Sequence, residues 1–142
     1  MNFTELIASF ADRTGIETDG SRGGAAFKYE DIIILLQEAG DLVLMRTDLG
    51  SIDEDAEKPL LREAMKANFA GQGAGGAVFA LNPEDGHLHL QRYDRIRDLD
   101  ASGLEALLRS FAETAMVWAG IIDDFRAAFP QTGAADGNDS WQ

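Results

Sequence analysis

The sequence predicts an α+β fold: a twisted, mainly antiparallel five-stranded sheet with elements in the order α-β-β-β-α-β-β-α. Three observations lead there. Apolar residues recur at helical spacing near both ends of the chain. The segments between carry short β-rich runs punctuated by turn residues. Finally, the strands come in hairpin-linked groups instead of alternating singly with helices, which separates α+β from a parallel α/β sheet.

Each element has its own signal. Phe3, Leu6, Ile7 and Phe10 make one helical stripe, with Asn2 or Thr4 placed to cap it and Gly15 placed to end it. The polar, glycine-rich stretch Glu17–Gly24 reads as a loop. Ala25–Tyr29, Ile32–Gln37 and Leu42–Thr47 follow as three short strands. Glu30–Asp31 and Glu38–Asp41 are connections so short that an antiparallel meander is required. The middle run, Ile32–Leu36, is apolar on both faces, so both faces are covered, by this chain or by another. Ser51–Lys58 is an acidic helix entry in which Ser51 and Glu54 have capping-box spacing. Pro59, tolerated in a first turn, places the helix body at Pro59–Phe69. Ala77–Asn82 and His87–Arg92 flank Pro83-Glu84-Asp85-Gly86, a hairpin turn. Leu104, Leu107, Leu108, Phe111, Ala115, Trp118, Ile122 and Phe125 trace a long final helix, entered through Asp100 or Ser102 and stopped by Pro130. Residues 1–130 form one domain, and the small, polar segment 131–142 is expected to be a disordered tail.

Composition narrows the function. With 142 residues, 45% hydrophobic and 26% charged, the chain can build one real core. Its formal net charge of −13 repels phosphate backbones and anionic lipid, so neither nucleic acid nor a membrane surface is an expected partner. There is no cysteine, which removes disulfides, thiolate metal sites and thiol nucleophiles. No apolar run approaches the roughly 20 residues of a membrane span. Met1–Asp12 does not read as a secretory signal, so a cytoplasmic protein is expected.

Candidate chemistry is sparse. Gly71, Gly73 and Gly76 spell G-x-G-x-x-G, a dinucleotide-binding pattern. In that fingerprint the glycines follow a strand and open a helix, so that phosphates meet a helix N-terminus. Here they follow a helix and open a strand, and phosphates would meet the carbonyl end of the dipole. His87 and His89 stand two apart, but a lone H-x-H specifies little and no third ligand has a predictable position. A solvated strand face is the expectation, with no metal and no cofactor. Asp53-Glu54-Asp55 lacks the calcium-loop pattern, and Asp123-Asp124 diverge around a helix. No G-x-S-x-G elbow is present. No catalytic residue is assigned, and the protein is expected not to be an enzyme. What remains is a surplus of apolar faces, which points to dimerisation or to peptide binding.

Three segments resemble one family. Leu60–Leu81, with A-N-F-A-G-Q-G-A-G-G-A at its centre, Leu81–Arg92 and Ile96–Leu108 are similar to the central helix, glycine loop, hairpin and last-helix entry of the class I chaperones of bacterial type III secretion, the Tir-chaperone-like family. Ala74 stands where that family often carries threonine. The resemblance implies a non-enzymatic, cytoplasmic homodimer. Such a dimer holds the N-terminal region of a secreted effector in extended form, with the secretion ATPase as a further partner. The alternative is a regulatory adaptor of the same fold outside secretion. By the same resemblance, Leu61, Met65, Phe69, Phe79 and Leu81 would form the dimer interface. Leu6, Phe10, Phe27, Tyr29, Ile33 and Leu35 would contact the effector.

Overall fold

The computed structural model describes residues 1–128 apart from Asp19, Asp53, Gln72 and the side chain of Glu54. Pro130 as helix stop and the 131–142 tail lie outside the described residues. The order is α1 (Phe3–Thr14), β1 (Gly24–Tyr29), β2 (Ile32–Ala39), β3 (Leu42–Asp48), α2 (Glu54–Asn68), a 3-10 turn (Phe69–Gly71), β4 (Val78–Leu81), β5 (Leu88–Arg95), a second 3-10 turn (Ile96–Asp98) and α3 (Ala101–Ala128). All five strands pair antiparallel in the order β1-β2-β3-β5-β4.

The helix ends show why these segments stop and start. Asn2 accepts the Glu5 N–H at 2.8 Å while Glu5 reaches back to the Asn2 N–H at 2.8 Å, a complete capping box. Gly15, at φ +76°, ends α1 in the left-handed conformation, its N–H bonding Ala11 O at 2.8 Å. Of the two expected caps, Asp100 starts α3 by accepting the Gly103 N–H at 2.7 Å; Glu105 pairs with Arg13 at 2.8 Å and ties α3 to α1. Helix α2 corrects one expectation. It begins five residues before Pro59, so the proline sits in the second turn. The ring removes the donor for the Asp55 carbonyl, but Asp55 is exposed and solvent can serve it, while buried Ala56 anchors the entry turn.

Period-two alternation decides which side chains are inside. Phe27, Ile34, Leu36, Val43, Met45, Leu88 and Leu90 point to one sheet face and are buried beneath α1 and α3. Leu6, Ile7 and Phe10 meet them from α1; Leu104, Leu108, Phe111 and Trp118 meet them from α3. The opposite face, carrying Ile33, Leu35, Leu44 and Tyr93, is left without a covering layer among the described residues. Helix α2 packs at the β4 end, against β4 and α3. Among the described residues, no helix is long and apolar enough to cross a membrane.

Candidate functional site

The glycine loop is built by close approach within the chain. A Cβ on Gly73 would stand 2.6 Å from Ala67 Cα, and a Cβ on Gly71 would stand 3.4 Å from Gly76 Cα. Its hydrogen bonds turn inward as well. The N–H groups of Gly73, Gly76 and Ala77 donate to Ala67, Gly71 and Ala74 carbonyls at 3.1, 2.8 and 3.0 Å. Arg92, held by Asp94 through two bonds of 2.8 and 3.0 Å, reaches the Gly75 carbonyl at 3.4 Å. Three of the loop's donors are therefore spent, which argues against a phosphate cradle independently of element order. The loop returns the chain from α2 to β4, and Asn68 locks the junction. Its side chain accepts the Phe79 N–H at 2.6 Å and donates to the Phe79 carbonyl at 3.2 Å.

That clasp makes the two sheet edges unequal. At β4 the outward backbone groups of Phe79 are occupied by Asn68. At β1 the Glu38 N–H bonds Gly23 O at 2.8 Å, so the alternating ladder turns the backbone groups of Gly24, Ala26 and Lys28 away from β2. No strand lies beyond β1 among the described residues. Beside this edge runs a groove of about 340 Å3 between α1, β1 and α3, lined by Phe10, Phe27, Tyr29, Ile34 and Leu108, with Ile16 at its margin. Phe10 and Phe27 meet edge to face, with centroids 5.0 Å apart.

A second apolar surface lies at the other end. Met65 on α2 and Phe69, four residues on at the start of the 3-10 turn, are 68% and 77% exposed. Leu61 and Leu81 adjoin them around a pocket of about 280 Å3. Arg62 and Lys66 border the same ridge.

The sequence-derived residues divide between these places. Of the five interface candidates, Leu61, Met65, Phe69 and Leu81 share one surface. Phe79 is buried, its ring edge-on to Trp118 at 4.6 Å, and contributes only the pocket floor. Of the six effector candidates, Leu6 is fully buried under the helical layer and cannot reach a partner in this conformation. Phe10 and Phe27 are also core, presenting only the floor of the β1 groove; Tyr29 is half-buried at its side. Ile33, 58% exposed, and Leu35 stand on the opposite sheet face. The six therefore form no single patch, because strand alternation sends Phe27 and Ile33 to opposite sides. The close approaches at Gly71 and Gly73 are to this chain's own backbone.

The sequence reading missed Tyr93 and Val117, both exposed, and Ile16. Ile16 follows the helix-ending glycine and carried no periodic signal. The histidines also differ from expectation. His89 is buried, and His87 hydrogen-bonds Asp48, so they do not share a solvated face. Burial tends to raise the Asp48 pKa, but the His87 hydrogen bond, the Gly50 N–H and the two imidazoles outweigh it and hold the carboxyl below its ordinary 3.8. The same hydrogen bond raises His87 above 6.5, against desolvation.

Comparison with known proteins bears on the fold. The model of the Tir chaperone protein (CesT) family matches residues 5–119. The structure superposes on the Yersinia pestis type III secretion chaperone SycH, solved in complex with a fragment of YscM2, with TM-score 0.64 and 20% identity, over 82% of this chain and 98% of that one. It superposes on the ExsC-ExsE complex with TM-score 0.67 and 20% identity, over 86% and 97% of the two chains. For the heterodimeric ExoU-SpcU complex of the Pseudomonas aeruginosa type III secretion system the TM-score is 0.69 at 13% identity, over 84% and 99%. At these identities the likenesses establish the three-helix, five-strand fold. No curated protein sequence matches the chain.

Proposed function

The chain belongs to the Tir chaperone protein (CesT) family, and from that premise we propose that it is a homodimeric chaperone for a type III secreted effector. It would hold the effector's N-terminal segment extended and export-ready. The observation that carries this reading is the open β1 edge beside the apolar groove of Phe10, Phe27 and Tyr29. An extended peptide is the ligand shape that uses both features.

Magnitudes say how the binding must be divided. Gly24, Ala26 and Lys28 offer one donor and one acceptor each. Their six hydrogen bonds are worth roughly 3–9 kcal/mol net, at about 0.5–1.5 each. Ordering five or six peptide residues costs roughly 5–12 kcal/mol, at about 1–2 per residue. The backbone terms nearly cancel. Affinity therefore comes from apolar effector side chains buried in the groove and on the Ile33–Leu35 face, at about 25 cal/mol per Å2. The solved structures of this fold with a YscM2 fragment, ExsE or ExoU support an effector as the partner class. Dimerisation through α2 and β4, a cytoplasmic location, the lack of catalytic activity and docking on the secretion ATPase belong to the same proposal. The acidic surface suits a basic partner segment.

Co-expression of the chain with the N-terminal region of a candidate effector tests it. Stable co-purification of two chains with one effector segment is the expected result. Ala26→Pro, which removes an outward donor at an edge where proline is tolerated, should leave the melting temperature near wild type and lower effector retention. A protein that stays monomeric at tens of micromolar and retains no effector would overturn the proposal.

A further inference from the structure

The outer face of the sheet carries a cleft of about 620 Å3 where β3, β5 and the β4–β5 turn meet. We propose that this cleft is a binding site for a divalent transition-metal ion of the zinc class, with His89, Asp48 and Asp85 as its ligands.

The fold assembles these residues from three places. Asp48 ends β3 and His89 lies directly opposite it in β5. Asp85 comes from the turn, where its side chain also accepts the His87 N–H at 2.8 Å. One donor atom from each of the three lies within 4.8 Å of the others. Two oxygen or nitrogen ligands of one tetrahedral zinc ion stand about 3.3 Å apart, so closing the set needs shifts of up to roughly 1.5 Å, which the exposed Asp85 turn can supply.

His89 is the observation that asks for a ligand. It is only 6% exposed, and among the described residues neither ring nitrogen has a hydrogen-bond partner. A buried imidazole left without partners is destabilising, and a bound ion would satisfy one of its nitrogens. Its Nε2 stands 4.0 Å from Asp48 Oδ2, too far for a hydrogen bond and about 0.7 Å beyond the roughly 3.3 Å that separates two ligands of one tetrahedral ion. His87 supplies the supporting contact. Its Nδ1 lies 2.9 and 3.1 Å from the two Asp48 oxygens and fixes the carboxylate's orientation, as an outer partner does at metal centres. Arg46 lines the same cleft, and its positive charge works against a bound cation, so the two carboxylates have to outweigh it. An imidazole with two carboxylates suits zinc, cobalt or nickel; calcium would take six or more oxygens.

The chain has two histidines and no cysteine, so imidazole ligation of an added ion has to involve His87 or His89. The test uses the untagged full chain, treated with chelator and titrated with Zn2+ by calorimetry. A parallel titration with Co2+ is read by its ligand-field absorption and by the two imidazole NMR signals. The expected result is one ion per chain, with the His89 signal perturbed directly. Asp85→Asn, in an exposed turn and safe for folding, should weaken binding by about tenfold or more, as should His87→Gln through loss of the supporting contact. His89→Gln should abolish it. Failure to bind Zn2+ or Co2+ at tens of micromolar would overturn the assignment. So would binding that Asp85→Asn leaves unchanged, or binding that perturbs His87 alone. None of these outcomes depends on effector binding.

Discussion

Replacing Phe69 by serine should split the proposed dimer while leaving the protomer folded. Fully burying a phenylalanine side chain is worth about 1.5–3 kcal/mol, and 77% of Phe69 is still exposed in the single chain. Covering that surface contributes roughly 1–2 kcal/mol per copy. A twofold interface uses each residue twice, so one substitution removes roughly 2–4 kcal/mol, or about 30- to 700-fold in Kd. Met65, 68% exposed and one turn away, should behave alike as Met65→Ser. Sedimentation equilibrium over a dilution series reads the effect. Val117→Ser is the control: Val117 is 63% exposed but lies on α3, outside the α2–β4 surface. A Phe69→Ser dimer within about threefold of wild type would refute the interface, and a loss confined to Val117→Ser would move it to α3.

Other substitutions test the junctions that shape these surfaces. Gly73→Ala places a methyl 2.6 Å from Ala67 Cα and should destabilise by about 1–3 kcal/mol. Gly120→Ala, in a helix interior with nothing within 4 Å among the described residues, should stabilise by about 0.5–1 kcal/mol. Urea unfolding at one fixed chain concentration compares them, since dimerisation couples to stability. Asn68→Ala removes both Phe79 clasps and should cost about 1–3 kcal/mol, with the Phe79 amide losing hydrogen-exchange protection; an unchanged exchange rate would contradict the clasp. In chelator-treated protein, the raised His87 pKa stabilises the fold fully below pH 6.5, and that contribution fades as pH rises through the folded-state value. The lowered Asp48 pKa works from the acid side: its contribution is present above pH 3.8 and is lost as pH falls through the folded-state value. The melting-temperature gap between wild type and His87→Gln should therefore narrow from pH 5.5 to 8.5, and a constant gap would exclude the Asp48 contact as its source.

Local chemistry made much of this architecture legible. Asn2 and Glu5, Gly15, the Pro83–Gly86 turn and the α3 stripe act over a few residues, and each marks its own element. Pro59 misled because backbone exposure at Asp55, which makes a second-turn proline tolerable, is a tertiary property. Leu6 and Phe79 misled because an apolar residue at a helix stripe or strand position carries no label for core or partner surface.

By itself, the sequence determined the element order, the antiparallel class, the demotion of the glycine motif and the resemblance to secretion chaperones. These rest on short-range periodicity, capping and motif order. Only the tertiary structure decided that β5 inserts between β3 and β4, that Asn68 closes the β4 edge while β1 stays open, and that Phe27 and Ile33 lie on opposite faces. The same insertion brings Asp48 opposite His89, 41 positions apart in the chain. The physical reason is that strand order and register are set by long-range pairing and burial, which residues a few positions apart do not encode.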